Sequence, residues 1–206
     1  MDRDGVFIMD GISKIEKAID KLKVIDYQEE IISSDSKFVC LKRGIYHLNN
    51  GESIDRESVV KNVGSGNAAV IFAVDMDKNV ILVVHPRIVL PTEDKISVEV
   101  PAGYIEEGED AIVAARRELE EETGYTSERI FQVDSYFPSL GVSGERIDLF
   151  LALDCVKDSQ QHLDDDEFII SVSVTLDEFK ELVEKSYIKG VNERLGYYHY
   201  LEYLRK

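Results

Sequence analysis

Glu118 and Glu122 stand four residues apart in the run Arg116-Arg117-Glu118-Leu119-Glu120-Glu121-Glu122-Thr123-Gly124. At that spacing two helical side chains project from one face. Arg116 lies one turn before Glu120 and Arg117 one turn before Glu121, so those acids have a basic neighbour on their own helix. Glu118 and Glu122 have none there. Like charges four apart cost about 0.2 to 0.5 kcal/mol, and an acid at the negative end of the helix dipole costs roughly 0.3 to 1 kcal/mol more. A bound cation would reverse both signs, and carboxylate oxygens beside substrate phosphates and water are what Mg²⁺ takes. The chemistry this suits is metal-assisted work on a phosphate-bearing substrate. The plain alternative is a solvated acidic face, the usual fate of a charge run.

Positioning these acids falls to a helix over Glu109 to Thr123, with Gly124 as its C-terminal cap. Ile112, Ala115 and Leu119 recur at helical spacing and form its expected core stripe. Glu106, Glu107 and Glu109 fall near the helix start, where negative charge is favoured. A short strand, Ile96 to Val100, leads through Pro101-Ala102-Gly103 to this region. Glu99 in that strand alternates with apolar neighbours and reads either as a structural partner for an arginine or as a site residue.

The spacing carries a resemblance. Gly103, five residues, Glu109, seven residues, Arg117-Glu118-Leu119, one residue, Glu121-Glu122, one residue, Gly124-Tyr125 is the order of the Nudix box, with Tyr125 the loosest fit. The chain therefore resembles the Nudix hydrolases, and Pro101-Ala102-Gly103 is similar to the ADP-ribose and nucleoside diphosphate sugar pyrophosphatases among them. The resemblance implies an α/β (α+β) fold, an α/β/α sandwich with a mixed sheet plus an N-terminal β-rich extension. It implies Mg²⁺, with Mn²⁺ as a substitute, held by Glu118, Glu121, Glu122 and the Ala102 carbonyl. Glu109 and Arg117 would organise the loop and hold the glutamates in register, with Gly124 ending the helix. Arg87, Gly103, Leu140 and Gly141 are the implied substrate contacts; at Leu140 the pyrophosphatase subgroup usually carries proline. The acid that deprotonates water stays open among Glu145, Asp164, Asp166 and Glu167, with Glu121 also a catalytic candidate.

With 206 residues the chain is long enough for one domain with an extension. The boundary is expected between residues 62 and 63. Its 24 basic and 41 acidic residues give a net charge of -17. Such a surface repels nucleic acid, and it would repel a small pyrophosphate too unless bound metal inverts the local charge. Cys40 and Cys155 lie in apolar runs and read as buried free thiols. The opening Met1-Asp2-Arg3-Asp4-Gly5 is no signal peptide, and no apolar run approaches the roughly 18 to 20 residues of a membrane span. The expectation is a cytoplasmic protein without a membrane partner.

The remaining chain reads as an amphipathic helix over Gly11 to Lys23, then strands over Glu29 to Ser33, Lys37 to Leu48 and Ser53 to Val63. Asn49-Asn50-Gly51 marks a hairpin. In the resembled pyrophosphatases a comparable segment helps form a homodimer. Asn67 to Asp75 and Val80 to His85 read as buried strands, and Ile130 to Phe137, Arg146 to Leu153 and Phe168 to Val174 as three more. Thr175 or Asp177 could cap a last helix. Tyr197, Tyr198, Tyr200 and Tyr203 form an aromatic stripe for packing or a subunit contact.

The functional expectation is Mg²⁺-dependent hydrolysis of the pyrophosphate of a nucleoside diphosphate joined to another group, ADP-ribose to AMP and ribose 5-phosphate first. The alternatives are another Nudix substrate (an ADP-sugar, a nucleoside triphosphate or a dinucleotide) and a ligand-sensing protein that has lost catalysis.

Overall fold

The computed structural model describes residues 11–33, 35–91, 95–163 and 167–206. They fall into two compact units, one within Met1–Val60 with Gly141–Gly144, the other Lys61–Leu140 with Glu145–Lys206.

In the first unit α1 (Gly11–Leu22) runs almost directly into β1 (Val24–Ser33), followed by β2 (Val39–Leu48) and β3 (Ser53–Lys61). The sheet order is β1-β2-β3. β1 begins five residues before the expected strand because Lys23 alone separates it from the helix, its carbonyl taken by Asn49 N–H. Gly51, at φ 88°, supplies the left-handed turn residue of the expected hairpin.

The second unit holds β4 (Ala68–Asp75), β5 (Val80–Pro86), β6 (Ile96–Glu99), β7 (Ala102–Tyr104), α2 (Ala111–Thr123), β8 (Tyr125–Thr126), β9 (Arg129–Tyr136), β10 (Ile147–Lys157), β11 (Ile170–Val174), α3 (Leu176–Glu184) and α4 (Asn192–Leu204). Its mixed sheet runs β11-β5-β4-β10-β8, with β6 on β5, β7 on β4 and β9 on β10. β4 and β10 pair in parallel and the other pairs are antiparallel.

β4 is apolar along nearly its whole length because both of its faces are covered. Ala69, Ile71 and Ala73 pack with Ala114, Ala115 and Leu119 of α2. The alternate residues Val70, Phe72 and Val74 pack with Phe179 of α3 and Tyr200 of α4. Helices therefore flank the sheet on both sides, as expected. Gly196 lets α4 approach closely, since a β-carbon there would stand 2.6 Å from the Phe72 ring. The aromatic stripe is largely packing: Tyr200 lies on Phe72, Tyr203 on Phe131 and Tyr197 on Phe179, while Tyr198 is exposed. Cys40 and Cys155 are buried and free. Among the described residues no helix is long and apolar enough to cross a membrane.

Candidate active site

α2 sits differently from its expected stripe. Ile112 is 39% exposed, and Ala114 takes its place in the core. Small alanines against Ala69 and Ala73 suit a close approach of helix and sheet, and the rotation that buries them turns Glu122 inward to 5% exposure. The helix starts at Ala111, two residues later than expected, because Asp110 at the N-cap is still extended, at φ -70° and ψ 136°, and makes no side-chain cap bond. Glu109 instead folds back and accepts from Glu106 N–H at 2.9 Å. The helix ends at Gly124, which is left-handed at φ 73° and leaves no room for a β-carbon beside the Ser159 carbonyl. Thr175, rather than Asp177, caps α3, in a reciprocal box with Glu178.

Arg117 is the hub. Its guanidinium donates to Glu109 Oε1 and Oε2 at 3.2 Å each, to Glu118 Oε1 at 2.6 Å, to Glu121 Oε2 at 3.1 Å and to the Tyr104 carbonyl at 3.0 Å. The expected Arg117–Glu121 pair is present; Arg116 donates to the Ser127 carbonyl. The expectation that Glu118 has no basic neighbour on the helix is corrected. Adjacent helical positions do not face each other, but Arg117 is long and the Glu118 carboxylate turns back over the bare Cα of Gly103. Glu122 differs: its Oε2 accepts from Ala102 N–H at 2.9 Å, and no described residue forms an ion pair with it. Burial pushes the Glu122 carboxyl up to about 8, with Glu118 and Glu167 adding to the shift and the Ala102 bond and the charge of Arg87 opposing it. Burial raises Glu118 as well, against the pull of Arg117. Hydrogen bonds from Arg117 hold Glu109 below its ordinary value.

Beside this cluster, Arg87 grips Glu99 with two bonds, at 3.0 and 2.8 Å, and His85 Nε2 lies 3.3 Å from the same carboxylate. Burial alone would raise Glu99, yet His85 and Arg87 outweigh it and hold the acid well below the carboxylate range. Glu99 is thus the arginine partner that its alternation allowed. Arg87 stays half exposed while its fork is fixed.

Among the candidate bases, Glu167 acts electrostatically on both Glu118 and Glu122. Glu145 is ion-paired to Lys61, and Asp164 and Asp166 lie outside the described residues. Leu140 is exposed, and Gly141 belongs to the unit that carries the N-terminal sheet. Two polar residues, Gln161 partly buried and Glu193 fully so, gave no signal in the sequence. Gln161 binds the Glu122 carbonyl, and Glu193, 1% exposed, accepts from Val100 N–H at 3.3 Å.

Among the described residues, no three His, Cys, Asp or Glu side chains converge as a ready metal site. The donors nonetheless fit a hard divalent cation. Glu118, Glu121 and Glu122 offer only oxygens, and Glu122 is desolvated beside other acids, with Arg87 acting on it only at a distance.

Comparison with known proteins agrees with the box. The NUDIX domain family matches residues 64–192. The chain belongs to the Nudix family. An ADP-ribose pyrophosphatase of Bacillus subtilis (strain 168) is 39% identical over 138 residues, 66% of this chain and 71% of its own. A methanol dehydrogenase activator of Bacillus methanolicus is 35% identical over 167 residues, covering 79% of this Nudix chain and 86% of its own. The crystal structure of an ADP compounds hydrolase superposes with a TM-score of 0.70 over 90% of this chain and 95% of that one. At 18% identity that likeness speaks for the fold alone.

Proposed function

We propose that this Nudix protein hydrolyses the pyrophosphate link of a nucleoside diphosphate joined to a second group, with ADP-ribose, split to AMP and ribose 5-phosphate, as the first substrate. The observation that carries this reading is Glu122, a buried carboxylate that forms no ion pair among the described residues, one turn from Glu118. Two ADP-ribose pyrophosphatases, the one above and that of Saccharomyces cerevisiae (strain ATCC 204508 / S288c) at 27% identity, support the substrate class.

Glu118, Glu121 and Glu122, with the Ala102 carbonyl, would hold Mg²⁺. There a bound ion would supply charge neutralisation for the diphosphate and a lowered pKa for water. Arg117 fixes Glu118 and Glu121, and Ala102 N–H fixes Glu122, so the oxygens are oriented before substrate arrives. Arg87, held by Glu99 through Nε and Nη2, offers its remaining N–H groups to a phosphate. Glu167 takes the proton of the attacking water; its charge already reaches both glutamates, whereas Glu145 is engaged by Lys61.

The protein is further proposed to be a homodimer in the cytoplasm. β1 is an edge strand with Ile25, Tyr27 and Ile31 each 59% exposed, and a second copy would cover such an edge. The test of function is a panel of ADP-ribose, ADP-sugars, nucleoside triphosphates and dinucleotides with Mg²⁺. Release of AMP from ADP-ribose at the highest kcat/KM is expected. Turnover of another compound with none of ADP-ribose overturns the substrate, and no turnover at all overturns the enzyme.

A further inference from the structure

The chain leaving β10 is bonded to the C-terminal end of α2. Asp158 and Ser159 N–H reach the Gly124 carbonyl at 3.2 and 3.3 Å, and His162 N–H reaches that of Glu121 at 2.9 Å. Gln161 Nε2 donates to the Glu122 carbonyl at 2.5 Å. The last carbonyls of a helix have no partner inside it, so these bonds answer a need that any helix end has. Gln161 goes further. The same nitrogen donates to the Ile169 carbonyl at 3.3 Å, and Ile169 is buried two residues beyond Glu167. Both partners are carbonyl oxygens, so only the amide nitrogen can face them, and its two hydrogens match the two acceptors.

We infer that Gln161 is a positioning residue for the reaction, its side-chain amide clamping Ile169, and with it Glu167, to the end of α2 that carries Glu121 and Glu122. The helix end and the acid that answers it are then fixed by one donor group. Leucine fills a similar volume with no hydrogen to give. Glutamate would set a carboxylate against two carbonyl oxygens. The assignment rests on Glu167 as the base, and the experiment separates the two.

Wild type, Gln161→Leu, Glu167→Gln and the double variant are compared with ADP-ribose and Mg²⁺ for kcat, KM and melting temperature. Gln161→Leu is expected to lower kcat about ten- to a hundredfold, the scale of a small misplacement of a reacting group, with KM within about twofold of wild type. In the Glu167→Gln background it should lower kcat no further, the non-additivity of two residues acting through one step. A slowed Glu167→Gln beside an unslowed Gln161→Leu, or equal losses in both backgrounds, overturns the clamp and leaves the base assignment standing. A Glu167→Gln variant as fast as wild type overturns the base and the clamp together. Gln161→Asn, which keeps the amide but shortens its reach, gives the same readings with less disturbance should the leucine variant fail to fold.

Discussion

The carboxylate of Glu118 lies so close over Gly103 that a β-carbon on that glycine would stand 2.0 Å from its Cδ and 2.1 and 2.2 Å from its oxygens. The obstructing atoms are the far end of a flexible side chain, so Gly103→Ala displaces the acid more than it strains the fold. The expected result is a kcat/KM about a hundredfold lower, with a melting temperature within about 2 to 4 °C of wild type. Steady-state kinetics and calorimetry read the two effects separately.

Glu122→Gln keeps an oxygen for Ala102 N–H but loses the charge. Activity should fall about a hundredfold or more. Added Mg²⁺ should raise the melting temperature of wild type and leave that of the variant where it was, because only an ion that binds the folded state stabilises it. A variant with wild-type turnover removes Glu122 from the site.

Arg87 is preset by its two bonds to Glu99. Arg87→Ala is expected to raise KM for ADP-ribose about tenfold or more, the worth of one charge-assisted bond. Glu99→Gln should move KM in the same direction by less. An unchanged KM in Arg87→Ala places the arginine outside the substrate's reach.

Burial pushes the Glu193 carboxyl up to about 7 from 4.5, and its Oε2 has no hydrogen-bond partner among the described residues. A raised folded-state pKa means the protonated form is the one the fold favours. That stability is complete below the unfolded value of 4.5 and is lost as pH rises through about 7. Glu193→Gln should therefore be more stable than wild type at pH 8, by about 1 to 3 kcal/mol, with the advantage gone near pH 4. Urea titrations at the two pH values decide it.

Ile25→Lys with Ile31→Lys should turn the dimer into monomers at concentrations where wild type stays paired. Light scattering across a dilution series gives the mass directly, and a monomeric wild type ends the dimer proposal.

The sequence placed the candidate site's residues better than it foretold their contacts. Spacing alone placed Glu109, Arg117, Glu118, Glu121 and Glu122 on one helix or at its start, and Gly124 at its stop, because the box is a local pattern. Ile112 was misplaced because periodicity finds an apolar stripe but cannot tell that Ala114 packs nearer to Ala69 and Ala73. The Arg117–Glu118 pair was hidden because it depends on a carboxylate folding back over Gly103, which helical spacing cannot express. β7, three residues long, is too short for any alternation to register. Gln161 was silent because its acceptors are backbone carbonyls, at Glu122 and Ile169, and carbonyls leave no trace in residue type. Glu193 sits in the first turn of α4, where an acid ordinarily reads as a solvated complement to the dipole.

The parallel pairing of β4 with β10 sets Ala68 beside Ile147, and all of α2 lies between them in the chain. During synthesis the glutamates proposed to bind metal are made before the strand that completes their platform. Until β10 emerges, the edge of β4 that it covers stays apolar and unpaired, so a ribosome stalled short of residue 147 would hold a sticky fragment. Assembly of the proposed site is in this sense a late event, gated by a strand that supplies none of its proposed ligands.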